Sequence, residues 1–141
     1  MKTLINGRWT DRKDEKQSND GSFKRKDTEF RNWITPDGSP GETGVGGFKA
    51  ESGRYHLYVS LACPWAHRTL IFRKLKNLEP HIGVSIVHPI MLENGWEFRT
   101  DFSQCTGDQI LGKNSIFEVY LAADKNITSR ASVPVLWDVK Q

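Results

Sequence analysis

One cysteine in this 141-residue sequence stands where a nucleophile is expected. Cys63 follows an apolar run and precedes Pro64, and proline fits the first position of a helix because its missing N–H costs no hydrogen bond there. A thiol at that place lies at a helix N-terminus, where free backbone N–H groups and the helix dipole favour anions. Both effects stabilise the thiolate, which is the nucleophilic form of cysteine. We therefore expect Cys63 to be a reactive thiol rather than a core residue.

The position three residues after Cys63 decides which thiol chemistry is available. A dithiol redox motif has its second cysteine there, whereas this sequence has Ala66. A disulfide formed at Cys63 would need an external thiol to resolve it, and glutathione is the abundant cytosolic candidate. The other cysteine, Cys105, has no motif around it, and we interpret it as incidental. The four histidines show no ligand spacing with the cysteines, so we expect no metal site.

The chain divides into two parts by composition. Residues 1–53 are rich in charged and small residues, and we predict an irregular N-terminal arm there. Residues 54–141 carry the globular pattern, which begins with a predicted strand at 55–61. A helix from Pro64 to about Asn77 follows, with Ala66, Leu70, Ile71, Leu75 and Leu78 near helical spacing.

A second strand is predicted at residues 83–88. Strand, helix and strand with such short connections form a βαβ unit with parallel strands, so Cys63 lies at the edge where open α/β sheets bind ligands. Residues 89–113 have no sustained period and are predicted to form a long, functional loop. A short helix at 116–123, capped by Asn114 or Ser115, precedes a third strand at 133–137.

Charge and hydropathy exclude two classes of partner. The 20 basic and 17 acidic residues are interleaved, as in residues 11–16, which is typical of a solvated surface and not of a nucleic-acid interface. No run approaches the roughly 20 apolar residues of a membrane span, and the start lacks the apolar core of a signal peptide. We expect a cytoplasmic protein without a structural disulfide.

Several motifs together resemble one family. The residues that carry the likeness are 31–34, 46–48, 55–58, 63–68 and 133–138. Strand, Cys-Pro helix, strand, helix and Val-Pro before a third strand resemble the thioredoxin-like domain of glutathione transferases. The motifs are similar to those of the glutathionyl-hydroquinone reductases, or Xi-class glutathione transferases. The resemblance implies an α/β, thioredoxin-like fold.

The resemblance also implies an activity and a set of site residues. Members of the family transfer glutathione from a glutathionyl hydroquinone to an active-site cysteine, and a second glutathione then regenerates the thiol. Cys63 would be the nucleophile, supported by Pro64. Trp96, Arg130 and Val133 would bind glutathione, the valine through its backbone beside a cis-Pro134. Two further motif residues, His67 and Arg68, have either a catalytic or a helix-surface role.

Members of the family are longer than this sequence. The chain is expected to stop after its third strand, without the all-helical C-terminal domain, and to leave that strand as an uncovered edge. We therefore predict reduced stability, self-association or both, whereas the full-length family implies a homodimer.

Two alternatives to the hydroquinone reductase remain at this point. A general deglutathionylating or dehydroascorbate-reducing transferase would need the same helix-capping monothiol. A non-catalytic glutathione-binding fragment would fit the apparent truncation and the long arm.

Overall fold

The computed structural model of the chain describes residues 2–11 and 28–141. Seven regular elements follow one another in these ranges. They are β1 (Lys2–Ile5), β2 (Arg8–Asp11), β3 (Tyr55–Val59), α1 (Pro64–Leu75), β4 (Ile82–Ile86), α2 (Ile116–Ala123) and β5 (Val135–Asp138). The strands β1 and β2 form a separate hairpin, and the other three form one sheet in the order β4-β3-β5.

The central strand β3 is buried along its whole length. It pairs in parallel with β4, from Tyr55 opposite Ile82 to Val59 opposite Ile86, and antiparallel with β5. All five of its side chains are buried. Because successive side chains of a strand point to opposite faces, both faces of the sheet are covered along β3. The parallel βαβ unit predicted from the sequence is confirmed.

The hydrophobic core surrounds the C-terminal end of β3. Its buried members come from β3, from the start of α1, from α2 and from the segments beside them. They include Leu57, Tyr58, Val59, Cys63, Ala66, Val87, Phe98, Ile116, Val119 and Val133. The thiol predicted to react therefore lies at the border of the core.

The predicted buried face of α1 is partly wrong. Ala66 is buried and Leu70 half-buried, but Ile71 is 45% exposed and Leu75 69% exposed. Trp65 and Phe72 are each 61% exposed as well. A helix of alternating apolar and basic residues has more than one plausible apolar stripe, and the spacing alone does not identify the one that meets the sheet.

The prediction of an irregular arm over residues 1–53 is wrong for residues 2–11. These residues form a two-stranded hairpin, with Ile5 paired to Arg8 across the Asn6-Gly7 turn. Both turn residues have positive φ, 48° and 75°, as a type I′ turn requires. Asn-Gly between short apolar runs is a strong hairpin signal. The prediction missed it because it rested on the composition of the whole segment.

The segment from residue 28 to residue 53 contains neither helix nor strand, but it is attached to the sheet. The Tyr55 hydroxyl of β3 donates to Lys49 O at 2.8 Å, and within the segment the Thr35 amide donates to Phe48 O at 3.0 Å. The charge-alternating stretch at residues 12–16 lies outside the described residues.

Candidate active site at Cys63

A short turn between β3 and α1 places Cys63. Ser60 accepts two backbone hydrogen bonds there, from the Ala62 amide to Oγ at 3.2 Å and from the Cys63 amide to its carbonyl at 3.1 Å. Cys63 is the N-cap residue, with extended backbone angles, and α1 begins at Pro64. The first turn of α1 contains no acidic residue, so no carboxylate of that turn opposes a thiolate.

The thiol faces the backbone before β5. Cys63 Sγ donates to the carbonyl of Val133 at 3.5 Å, and the bond between Val133 and Pro134 is cis. None of the described residues accepts a hydrogen bond from the Val133 amide. Four of the predicted site residues, Cys63, Pro64, Val133 and Pro134, therefore meet at one place. Cys63 itself is 9% exposed, so its environment is largely protein.

Trp96 lies against the same part of the core. The long loop predicted at residues 89–113 is present, and its Trp96 carbonyl accepts a hydrogen bond from the Ile116 amide at 2.9 Å. The half-buried indole packs against the cluster that contains Cys63 and Val133. The α2 N-terminus therefore fixes the backbone of Trp96 against the core that contains Cys63.

Arg130 is exposed on the segment that leads to Val133. The preceding residue, Ser129, pairs with Leu4 of β1 through two backbone hydrogen bonds of 3.0 Å each. The residue directly before Arg130 is therefore held in place by backbone pairing. Its guanidinium has the geometry to bind a carboxylate through two parallel hydrogen bonds.

The other two motif residues lie on the outer surface of α1. The guanidinium of Arg68 sits 4.5 Å from the centre of the Trp65 ring, a cation–π contact. His67 is exposed and lines a shallow groove of about 330 Å³ with Leu61, Leu70, Ile71 and Lys74. These positions favour a surface role for both side chains, and that groove does not contain Cys63.

The second cysteine has surroundings that oppose ionisation. Burial, and then the carboxylate of Asp101, raises the pKa of the Cys105 thiol. Cys105 and Cys63 are both free. A raised pKa disfavours the reactive thiolate, which agrees with the interpretation of Cys105 as incidental.

A partly buried hydrogen bond supports the end of β3 near the site. The Tyr58 hydroxyl donates to Asp108 Oδ1 at 2.9 Å, and three backbone amides of residues 110–113 also donate to that carboxylate. Burial, and then Asp108, raises the pKa of Tyr58 well above its usual range. Tyr58 is thus a structural donor that holds the loop after β4.

Two supports of the site were not predicted from the sequence. The hairpin β1–β2 contacts residues 125–129, and the Tyr120 hydroxyl of α2 donates to Ser132 O at 3.1 Å. Asn6-Gly7 could have revealed the hairpin, although not its docking place. Tyr120 offered no signal, because a helical tyrosine is compatible with many environments.

Within residues 2–11 and 28–141, no group of three or more His, Cys, Asp or Glu side chains is arranged to hold a metal ion. Across the same ranges, no helix combines the length and the apolar character needed to cross a membrane.

Comparison with known families identifies the fold. The family model of the glutathione S-transferase N-terminal domain matches residues 62–141. The chain belongs to this family. The resemblance that the motifs predicted is confirmed, and the sheet around Cys63 is the thioredoxin-like domain of a glutathione transferase.

Two curated relatives carry a more specific description. Glutathionyl-hydroquinone reductase YqjG of Escherichia coli strain K12 is 56% identical over 140 residues, which cover 99% of this chain and 43% of that protein. Glutathionyl-hydroquinone reductase PcpF of Sphingobium chlorophenolicum is 43% identical over 138 residues, covering 98% of this chain and 41% of that protein. This glutathione transferase chain therefore spans less than half the length of these relatives.

Two solved structures are similar to the whole chain or most of it. A Xi-class glutathione transferase from Natrialba magadii matches with a TM-score of 0.80 and 42% identity, covering 99% of this chain and 39% of that one. The glutathione-bound structure of Escherichia coli YqjG matches with a TM-score of 0.77 and 62% identity, covering 79% of this chain and 36% of that one.

Proposed function

We propose that this chain carries the thiol chemistry of a glutathionyl-hydroquinone reductase, with Cys63 as the nucleophile. The observation that carries the proposal is the pairing of Cys63, at the N-terminus of α1, with the backbone of Val133. The names of the similar proteins from Escherichia coli and Sphingobium chlorophenolicum support the choice of substrate.

The reaction requires two thiol transfers. The Cys63 thiolate attacks the sulfur of the glutathionyl hydroquinone, the carbon–sulfur bond breaks, and the ring carbon takes a proton to give the hydroquinone. Cys63 then holds glutathione as a mixed disulfide. A second glutathione thiolate attacks that disulfide, which releases oxidised glutathione and restores Cys63. The sum is reduction of one glutathionyl hydroquinone and oxidation of two glutathionyl sulfurs to a disulfide.

The residues beside Cys63 are suited to hold a tripeptide. The Val133 amide, which has no acceptor among the described residues, can donate to a backbone carbonyl of glutathione, as an edge strand does with an extended peptide. Arg130 offers a cation for one of its carboxylates, and Trp96 offers an aromatic wall. We assign glutathione binding to these three residues.

The proposal extends to the cell compartment and to self-association. Reduced glutathione is the cosubstrate and is abundant in the cytosol, which supports a cytoplasmic location. The exposed apolar side chains of α1, among them Trp65, Phe72 and Leu75, favour association of copies, and sedimentation velocity over a range of concentrations measures it.

The test follows Cys63 by intact mass while hydroquinone release is measured. The chain is incubated with a glutathionyl hydroquinone and glutathione, beside Cys63→Ser and the matched control Cys105→Ser. We expect one glutathionyl adduct and turnover in the unaltered chain and in Cys105→Ser, and neither in Cys63→Ser. A parallel incubation replaces the glutathionyl hydroquinone with a small glutathionyl disulfide; an adduct that glutathione removes in that incubation, with no hydroquinone release in the first, would favour a general deglutathionylating transferase. The absence of any adduct on the folded chain would refute Cys63 as the nucleophile.

A further inference from the structure

The hairpin β1–β2 docks on the segment that precedes the glutathione residues. Leu4 and Ser129 exchange backbone hydrogen bonds of 3.0 Å in both directions, and the Thr3 hydroxyl also donates to Ser129 O at 3.0 Å. Leu4 is fully buried and Ile127 nearly so. The contact is therefore a dry, paired interface and not a loose surface contact.

The turn of the hairpin approaches the same segment even more closely. The Gly7 amide donates to Ile127 O at 2.9 Å, and the Asn6 amide donates to Thr128 Oγ1 at 2.9 Å. A Cβ atom added to Gly7 would lie 1.9 Å from the Lys125 carbonyl oxygen. Only glycine permits this approach, both for lack of space and because φ is +75°.

Helix α2 holds the C-terminal end of the same segment. Tyr120 donates to Ser132 O at 3.1 Å, and its ring lies 5.9 Å from that of Phe30. Residues 127–129 are thus bound to the hairpin and Ser132 to α2. Arg130 lies between these two anchors, and Val133 directly follows Ser132. Glutathione binding was assigned to both residues above.

We propose that the hairpin β1–β2 is a positioning element of the glutathione site, which fixes the backbone of residues 129–133 so that Arg130 and Val133 meet the tripeptide together. This inference rests on the proposed function. The hairpin touches neither glutathione nor Cys63 in this scheme, so its loss should weaken glutathione binding while the thiol keeps its intrinsic reactivity. Small errors of position in a binding segment are costly, because several contacts are lost at once.

Two glycine variants of the chain separate this effect from general strain. Gly7→Ala forces the hairpin away from Lys125, and Gly53→Ala is the matched control. Gly53 has a similar φ of +73°, yet a Cβ there meets nothing within 4 Å. Each variant is measured for glutathione affinity by calorimetry, for Cys63 alkylation by neutral iodoacetamide, and for hydrogen exchange in residues 2–11.

Gly7→Ala is expected to raise the Kd for glutathione by about tenfold or more, to speed exchange in the hairpin, and to leave the alkylation rate within about twofold. Gly53→Ala is expected to bind glutathione like the unaltered chain. Thr3→Val, which removes one hydroxyl and keeps the backbone pairing, is the milder second variant and is expected to raise the Kd about two- to threefold.

Each negative result has a distinct meaning. Faster exchange in the hairpin with an unchanged Kd overturns the positioning role and leaves the proposed function standing. Should Gly7→Ala fail to fold, an unchanged Kd in Thr3→Val overturns it instead. If the unaltered chain does not bind glutathione, the proposed function fails and the inference fails with it.

Discussion

The two ends of the β3 strand differ in how completely their polar groups are paired. Beside its start, Arg54 and Asp138 are 7% and 8% exposed, and both Nε and Nη2 of the guanidinium bind the carboxylate. Nη2 also donates to Gly47 O at 2.7 Å. Beyond its other end, the Cys63 thiol makes one long hydrogen bond to Val133 O, and the Val133 amide has no acceptor among the described residues.

The residues beside the start of β3 therefore contribute mainly to stability, and those beyond its other end carry the groups of the proposed chemistry. A buried ion pair is strongly destabilising when one partner is removed, so the Arg54 end tolerates little change. The Cys63 end keeps a donor and a thiol available for a ligand, and a ligand can satisfy both. Variants at one end should therefore leave the property of the other end intact.

Cys63→Ser should have the largest effect on activity. We expect thiol transfer to fall by at least about a thousandfold, because serine is a far weaker nucleophile at neutral pH. The urea midpoint should stay close to that of the unaltered chain, since oxygen replaces sulfur at the edge of the core. Residual turnover near the original rate would show that another group attacks the substrate.

Asp138→Asn should have the opposite profile. It leaves the Arg54 guanidinium buried without its counter-charge, and we expect Tm to fall by about 5 °C or more. The rate of Cys63 alkylation, measured below the transition, should stay within about twofold. A large change in that rate would mean that the two ends of β3 are coupled.

Acid should weaken the Arg54 end. Burial opposes ionisation of Asp138, but the hydrogen bonds from Arg54 and the Lys140 amide, together with the charges of both residues, outweigh it and hold the pKa of that carboxyl below its usual range. A lowered folded-state pKa stabilises the fold above about pH 4, and this contribution is lost as pH falls through the lower value. The urea midpoint should fall as the pH drops below about 4, and that of Asp138→Asn should fall less steeply. Equal slopes would remove Asp138 as the cause.

Glu118→Ala, in helix α2, should have the smallest effect, and that effect should be on stability. Its carboxylate accepts from the Asn114 and Ser115 amides at 2.7 and 2.9 Å, which caps α2. Loss of such a cap costs about 1 kcal/mol in free energy of unfolding, measured with urea. Glu79→Ala is the control, since that residue pairs with Lys74 at the surface and should change stability little. Equal losses in both variants would argue against the cap.

The sequence predicted the parts of the fold that depend on neighbouring residues. Cys63 and Pro64 marked the cap of α1 directly, and Asn114 and Ser115 marked the start of α2, where Ser115 is the cap. The family resemblance added cis-Pro134 and the roles of Trp96, Arg130 and Val133, of which the structure places the valine against the thiol.

The parts that the sequence did not predict depend on distant residues. Arg54 and Asp138 are 84 positions apart, and nothing near either residue indicates its partner. The docking of the hairpin on Ser129 is of the same kind. The buried face of α1 was missed for another reason, because its outer surface is as apolar as its inner one.

The pairing of Thr3 with Ser129 spans 126 positions. Contacts between such distant residues form late, because the entropy of closing a long loop must be lost before they contribute. During synthesis the hairpin β1–β2 therefore cannot dock until the ribosome has released the segment before Pro134. The backbone that would receive glutathione is completed only when residues 126 positions apart in the chain meet.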